Sequence, residues 1–398
     1  MSEWQVRVVN IKDVVKHENA DTLSVVNVDG GYPCIAKTAD IQPLMIYVCL
    51  DSIVPDTEQF YFLCPNETVE IDGKKITKAR YSVGSVPEKY RRIKARRFRG
   101  VFSMGLLIPA LPGMKEGDVV DKTLNVIKYE PDLEAAGKGR CGGHILSGEC
   151  EKDPGFLPIF TDINSLRKYG NELIEGEEVV ISEKLHGCSG RAVYKDGKLW
   201  VGSHTKIKRN PYAKKSFFER VLSFFASVMT IVLSKIKIKW GWYHYLLFRL
   251  RNVGKAVPEN VWWKVAKQYD LEEKLKKYPD IAAYFEVFGQ VQDLKYGAEK
   301  DQLFIRLFDA LNINTRAYLN YDDFVAFVND IGLETVPILF KGAWTSELKE
   351  FRNGKSTISG ANHMREGFVV KPVKERYSQH AGRVIFKLVG EDYLLRKE

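Results

Sequence analysis

Residues 179–201 hold three strand-like runs joined by short turns: Val179-Val180-Ile181-Ser182, Arg191-Ala192-Val193-Tyr194 and Leu199-Trp200-Val201. The first run ends in Glu183-Lys184-Leu185-His186-Gly187, and Lys195-Asp196-Gly197 separates the other two. Apolar runs bounded by glycine turns read as neighbouring strands. This part of the chain therefore predicts antiparallel sheet rather than alternating strand–helix units. It also places the Lys184 amine at the end of a rigid β scaffold, where a covalent lysine nucleophile has to sit. A lysine beside a glycine does no more than end a strand unless the rest of the chain supplies partners.

Further strand-like runs follow at 281–288, 303–311, 367–371 and 383–389. Helical spacing over 259–277 (Val261, Trp262, Val265, Leu271, Leu275) stops at Pro279, and a second helix is predicted over 322–331, ahead of Gly332. Upstream, residues 1–125 read as short strands with turns at Asp29-Gly30-Gly31 and Pro55-Asp56. That spacing predicts a small barrel or sandwich. A Gly-rich, polar stretch from Pro131 to Gly155 reads as a linker. The 398 residues leave room for two or three domains. The expected division is a nucleic-acid-binding domain at 1–130, a linker at 131–157, and an α+β domain of antiparallel sheets with flanking helices at 158–398, carrying a basic insertion at 210–257.

Lys and Arg total 60 against 51 Asp and Glu, a net charge of +9 that points to an anionic partner. Lys89, Arg91, Arg92, Lys94, Arg96, Arg97 and Arg99 crowd a segment without acids, interleaved with Tyr90 and Phe98. On a small β frame this pattern suits phosphate contact and base stacking, the plain alternative being a solvated edge. Between Lys206 and Lys255 a second basic stretch encloses the apolar run 221–233, too short for the ~20 residues of a bilayer-spanning helix. It reads first as a helix-rich insertion packed on its own domain, then as a lid over RNA, and last as a membrane-surface element. The six cysteines form no CxxC pair, and Cys141, His144 and Cys150 lack a fourth metal ligand. Met1-Ser2-Glu3-Trp4 is no signal peptide. The expectation is a cytoplasmic or other reducing compartment.

A free lysine is neutral in about one molecule in 2,500 at pH 7, so a nucleophilic Lys184 needs groups that oppose its charge. Lys371 and Lys387, each at the end of an apolar run, could do so while cradling a phosphate. Glu286, within Tyr284-Phe285-Glu286-Val287-Phe288-Gly289, and Glu366, within Glu366-Gly367-Phe368-Val369-Val370-Lys371, could take a ribose hydroxyl and a metal.

In this order the motifs resemble the covalent nucleotidyltransferase superfamily of ATP-dependent ligases and capping enzymes. Glu183-Lys184-Leu185-His186-Gly187 is similar to its nucleophile motif, in the His-containing version of RNA ligases. Phe285-Glu286-Val287-Phe288-Gly289 and Leu307-Phe308-Asp309-Ala310 resemble the ribose- and adenine-contacting motifs. Glu366 to Lys371 and Ile385-Phe386-Lys387-Leu388 resemble the last two. His17-Glu18-Asn19-Ala20-Asp21-Thr22-Leu23, together with 99–107, is similar to tRNA-binding-type OB domains. An OB-type β-barrel ahead of the transferase domain is the layout of Deinococcus-type nick-sealing RNA ligases. Capping enzymes carry theirs afterwards, and the chain past Lys387 looks too short for one.

The resemblance implies that Lys184 attacks ATP to form lysyl-AMP, that AMP passes to an RNA 5′-phosphate, and that a 3′-OH then seals the strand. It implies ATP with Mg2+ or Mn2+, and Glu366 on the metal. Glu183, His186, Gly187, Arg191, Glu286, Phe308, Lys371 and Lys387 would surround the nucleotide. Lys94, Arg96, Arg97, Arg99 and Lys206 are the expected nucleic-acid contacts. A monomer acting on RNA is expected, without a membrane partner. Alternatives are an RNA-binding protein with a decayed transferase domain, or a guanylyltransferase-like enzyme. Two positions depart from the pattern: Val389 stands where the last motif often has a second lysine, and His204 where a related branch has arginine.

Overall fold

The strand Glu178–Lys184 shows how the larger half is assembled. Val179 and Ile181 pack with Phe368, Val370, Phe386 and Leu388 on one side. Val180 faces a different cluster, built around Phe285, Val287, Leu303 and Phe324. Successive side chains of a strand point to opposite faces, so this strand is buried on both. Its central run is therefore continuously apolar, and polar Lys184 appears where the strand leaves the core.

The computed structural model describes residues 4–29, 31–71, 74–129, 149–160, 163–213, 257 and 259–396. Cys141, His144, most of the Gly-rich linker, the apolar run 221–233 and nearly all of the 210–257 insertion lie outside the described residues.

Two sheets form the larger half. One has six antiparallel strands in the order Ile207–Lys208, Lys198–Ser203, Cys188–Lys195, Ile281–Gly289, Leu303–Asn312, Ala317–Tyr318. The other has five, in the order Asn164–Ser165, Phe386–Val389, Gly367–Pro372, Glu178–Lys184, Ile338–Ala343, with the Asn164–Ser165 pairing alone parallel. The single helix expected over 259–277 is two, Val261–Gln268 and Leu271–Lys276. The break falls at Asp270, whose φ of 52° is left-handed and ends an α-helical run. Tyr321–Asp330 matches the other predicted helix to within one residue.

The barrel expected at the N-terminus is not there. Among the described residues the strands form two three-stranded sheets: Arg7–Asn10, Leu44–Val48, Leu106–Pro109, and Val14–Lys16, Leu23–Val28, Tyr32–Lys37. Three two-stranded ribbons accompany them, and no sheet closes. Closure stalls beside Tyr32–Lys37, because Pro33 has no N–H to give a ladder. Its neighbour Val101–Ser103 is held there by Met104 N–H donating to the Pro33 carbonyl (2.6 Å) and Ile35 N–H donating to Ser103 Oγ (3.0 Å). The two apolar clusters of this region, around Ile46 and around Tyr47, lie on opposite sides of Leu44–Val48.

The N-terminal region seats against the chain's last helix. Ala95, Phe102 and Met104 pack on Leu394 and Leu395, and Arg97 pairs with Glu391 at 3.4 Å. No helix among the described residues is long and apolar enough to cross a membrane.

Candidate active site

The two large sheets enclose a cavity of about 320 Å³. Period-two alternation supplies its lining. Val180, Ser182 and Lys184 come from one strand, Val369 and Lys371 from the next, and Lys387 from the third, with Ile385 just ahead of it. Glu286 and Phe308 enter from the facing sheet.

The turn after Lys184 is fixed by its neighbours. Leu185 is buried among Phe288, Leu294, Tyr296 and Tyr393. His186 N–H donates to the Tyr296 hydroxyl (2.7 Å). A Cβ on Gly187 would stand 2.2 Å from the Val287 carbonyl oxygen, so a side chain there would push the turn off the neighbouring strand Ile281–Gly289. Gly367, the ladder partner of Lys184, has φ of 152° and is equally confined by the Leu388 carbonyl.

Lys184 Nζ donates to Glu366 Oε1 at 2.6 Å. Burial works against the lysine's charge, but Glu366 and Glu286 outweigh it and raise the pKa. The opposition to charge expected from Lys371 and Lys387 is therefore not what acts on this amine. Burial also opposes charge on Glu366, yet Lys184 and His186 together pull its pKa down to about 2. Glu286 has the reverse balance: burial, with Glu366 adding, lifts it to about 8 against the pull of Lys184 and a Gly187 backbone hydrogen bond. The two carboxyls that act on Lys184 are thus pushed apart, Glu366 held in its ionised form and Glu286 towards its neutral one.

Glu366 Oε2 is buried without a hydrogen-bond partner, 3.7 Å from His186 Nδ1. Among the described residues no group of three or more His, Cys, Asp or Glu forms a ready metal cage. Mg2+ and Mn2+ do not need one, being commonly held by one or two carboxylates plus phosphate and water. An orphaned oxygen of an ionised carboxylate, with a second carboxyl close enough to feel it, fits that mode.

His186 is held on every side. Asp293 Oδ1 lies 2.5 Å from Nε2 and the Tyr393 hydroxyl 2.9 Å from Nδ1. Arg396 donates to Asp293 (3.1 Å) and lies 3.6 Å over the Tyr393 ring. No motif pointed to Asp293, Tyr393 or Arg396; Asp293 is a half-exposed acid in a turn, and the other two sit in the last helix and just beyond it.

The deep end of the cavity is a charge network. Lys371 donates to Asp309 and Glu375, both at 3.1 Å, and Arg383 meets Asp309 at 2.7 Å and Glu375 at 2.6 Å. Asp309 is fully buried, and a buried carboxylate of this kind requires such partners. Its place inside an apolar strand was the available signal. Phe308 lines the cavity with its ring edge-to-face with Phe160 at 5.0 Å, leaving an aromatic wall.

Other expected residues are held by contacts of their own. Glu183 borders the cavity but is buried, and its carboxylate accepts from the Thr357 backbone N–H (2.7 Å) and hydroxyl (2.6 Å), which anchors the 357 loop. Arg191 is outside the cavity lining: its guanidinium donates to the carbonyls of Leu157 (2.6 Å) and Ser203 (3.1 Å), strapping the 153–157 segment to the sheet. Lys206 is exposed at a turn, while neighbouring His204 reaches the cavity. Arg96, Arg97 and Phe98 form a strand exposed along its whole length, with Lys94 half-buried ahead of it. The motif at 17–23 acts on this hairpin. His17 Nδ1 accepts from Asn19 N–H, leaving Nε2 to donate to the Phe98 carbonyl (3.0 Å), and Asn19 and Arg99 exchange hydrogen bonds.

The profile of the RNA ligase family matches residues 177–389. Among curated proteins no sequence relative matches the chain. Among solved structures, a lysine-to-alanine variant of Naegleria gruberi RNA ligase with ATP and manganese superposes with a TM-score of 0.66 at 19% identity, covering 98% of each chain. The same ligase with pyrophosphate gives 0.65 at 20%, again over 98% of each chain. A lysine-to-methionine variant with AMP and manganese gives 0.65 at 19%, with the same coverage. At these identities the likeness is one of fold.

Proposed function

The chain belongs to the RNA ligase family, and from that membership we infer an ATP-dependent enzyme that joins RNA 3′-OH and 5′-phosphate ends through a lysyl-AMP. The observation that carries the assignment of residues is the cavity itself. One amine, Lys184, stands in it, ion-paired with Glu366, facing Glu286 together with two further lysines and an aromatic wall.

The Lys184 nitrogen attacks the α-phosphorus of ATP, forming an N–P bond as the bond to pyrophosphate breaks. An RNA 5′-phosphate oxygen then displaces the lysine, taking the adenylyl group. Last, the 3′-hydroxyl attacks that 5′-phosphate and AMP leaves. Phe308 stacks on the base and Glu286 takes a ribose hydroxyl, its neutral carboxyl acting as donor. Lys387, with Lys371 behind it, meets the phosphates. Glu366, supported by His186, would hold a divalent cation, which when bound offsets phosphate charge and disfavours the ammonium form of the nearby lysine. Mg2+ serves as well as Mn2+ in this reading. Until that happens Glu366 keeps Lys184 protonated, so the free enzyme's nucleophile is parked rather than armed.

The functional division we propose is the one expected from the sequence. Residues 158–398 carry the nucleotidyl chemistry, 131–157 connect, and 1–130 grip nucleic acid through Lys94, Arg96, Arg97 and Arg99, with Lys206 contributing from the transferase side. The protein acts as a monomer in a reducing compartment, in keeping with the free thiols of the described cysteines. The test is sealing of a 5′-phosphate nick in duplex RNA with ATP and Mg2+ or Mn2+. Sealed product is expected with ATP and none with GTP. RNA binding without any nucleotide-dependent product would leave a binding protein instead.

A further inference from the structure

A second cavity, of about 370 Å³, lies on the other side of the five-stranded sheet, at the seam with the N-terminal region. Arg167, Lys168, Lys349 and Arg352 line it, and Asp29 is the one carboxylate among the lining residues. Asp29 is already ion-paired with Arg7. The two modules touch closely here: a Cβ on Gly31 would stand 2.4 Å from the Arg167 carbonyl oxygen.

The donors in this cavity outnumber the acceptors. Arg167 Nη2 and Arg352 Nε are both buried without a hydrogen-bond partner among the described residues. A buried donor left unpaired is destabilising, and more so when charged. Two guanidiniums close enough to feel each other add repulsion. Burial depresses Arg167, Glu391 partly offsets this, and Arg352 adds to the depression. A dianion with several acceptor oxygens would relieve both deficits.

The seam cavity also continues the exposed basic hairpin. Glu391 is held by Arg97 at 3.4 Å on one side and by Arg352 at 3.7 Å on the other. Arg97 on the exposed hairpin and Arg352 at the cavity thus flank one carboxylate, which joins the hairpin's cations to those of the cavity.

We propose that the seam cavity binds a phosphate group, with Arg167, Lys349 and Arg352 as its donors. The phosphate is either one of the RNA backbone, on the track that begins at the hairpin, or a free phosphate ion. This rests on the RNA ligase reading and extends it, since the cavity is separated from Lys184 by the sheet.

The test compares the full chain with Lys349→Gln and with the Arg352→Gln/Lys349→Gln pair, thermal melting confirming that each is folded. Affinity for a nicked RNA duplex is measured against salt, and melting against inorganic phosphate. Loss of about tenfold in RNA affinity, with the log–log salt slope shallower by about one unit, assigns an RNA phosphate. A phosphate-dependent rise in melting temperature, lost in the variants while RNA affinity holds, assigns the free ion. If neither quantity differs from the unaltered chain, the site is disproved. Formation of lysyl-AMP is measured separately: its absence would sink the ligase reading while leaving the two binding measurements interpretable.

Discussion

The transferase half and the N-terminal region are both built from antiparallel strands, yet they use them oppositely. Ile281–Gly289 and Leu303–Asn312 are paired over nine positions, whereas Arg96–Phe98 and Val101–Ser103 are paired over three. The long ladder fixes side chains from both partners within a fraction of an ångström, as a covalent reaction requires. The short hairpin leaves Arg96, Arg97 and Phe98 exposed, which suits a charged strand whose sequence is not read. The proposed chemistry thus sits on long ladders, and the proposed grip on a short exposed hairpin.

The largest effect that would break this contrast lies at Glu366. Glu366→Gln should reduce lysyl-AMP formation by about 10³-fold, several kcal/mol of lost charge stabilisation, measured by single-turnover labelling. A loss under tenfold would show that the parked ion pair with Lys184 has no part in the reaction. Next come the groups around His186. Asp293→Asn and Tyr393→Phe should each slow adduct formation by about 10- to 100-fold, the range for groups that orient a metal-site side chain. A larger loss of RNA affinity than of adduct formation in these variants would move the last helix from chemistry to grip.

Charge reversal at the hairpin gives the mirror outcome. Arg96→Glu with Arg97→Glu should weaken nicked-RNA binding by about tenfold and flatten its salt dependence, while adduct formation stays within about twofold. Equal losses in both would join the two regions into one functional unit.

How much of this was legible follows the same contrast. Lys184, Glu286, Glu366, Lys371 and Lys387 could be read because each interrupts or ends an apolar run, and a period-two pattern tells which face such a residue joins. Phe308 came only from the resemblance of Leu307-Phe308-Asp309-Ala310 to the adenine-contacting motif. The network around His186 could not be read, because Asp293, Tyr393 and Arg396 come from a turn and the chain's last residues, which local periodicity does not connect to residue 186. Arg191 misled for a related reason: its strand position is regular, but its long side chain reaches back to backbone carbonyls rather than forward to the cavity. The barrel failed on closure, which depends on pairing between distant strands and on the missing N–H of Pro33. The hairpin's basic character was visible; its link through Glu391 to the seam was not.

The smallest predicted effect concerns pH. Glu286 has a folded pKa of about 8, above its unfolded value of about 4.3. Between those values the unfolded chain is ionised there and the folded chain is not, so the unfolded state binds fewer protons and stability falls as pH rises. Glu286→Gln should remove up to about 1.4 kcal/mol per pH unit of that slope between pH 5 and 8, in denaturant melts of the free protein. An unchanged slope would place Glu286 in a wetter setting than the one described.

The most direct test is the covalent bond itself. After incubation with ATP and Mn2+, digestion and mass spectrometry should find one adenylyl group on the peptide containing Lys184, at that residue, and none when Lys184→Ala is treated alike. An adenylyl group on Lys371 or Lys387, or none on the unaltered chain, would contradict the account.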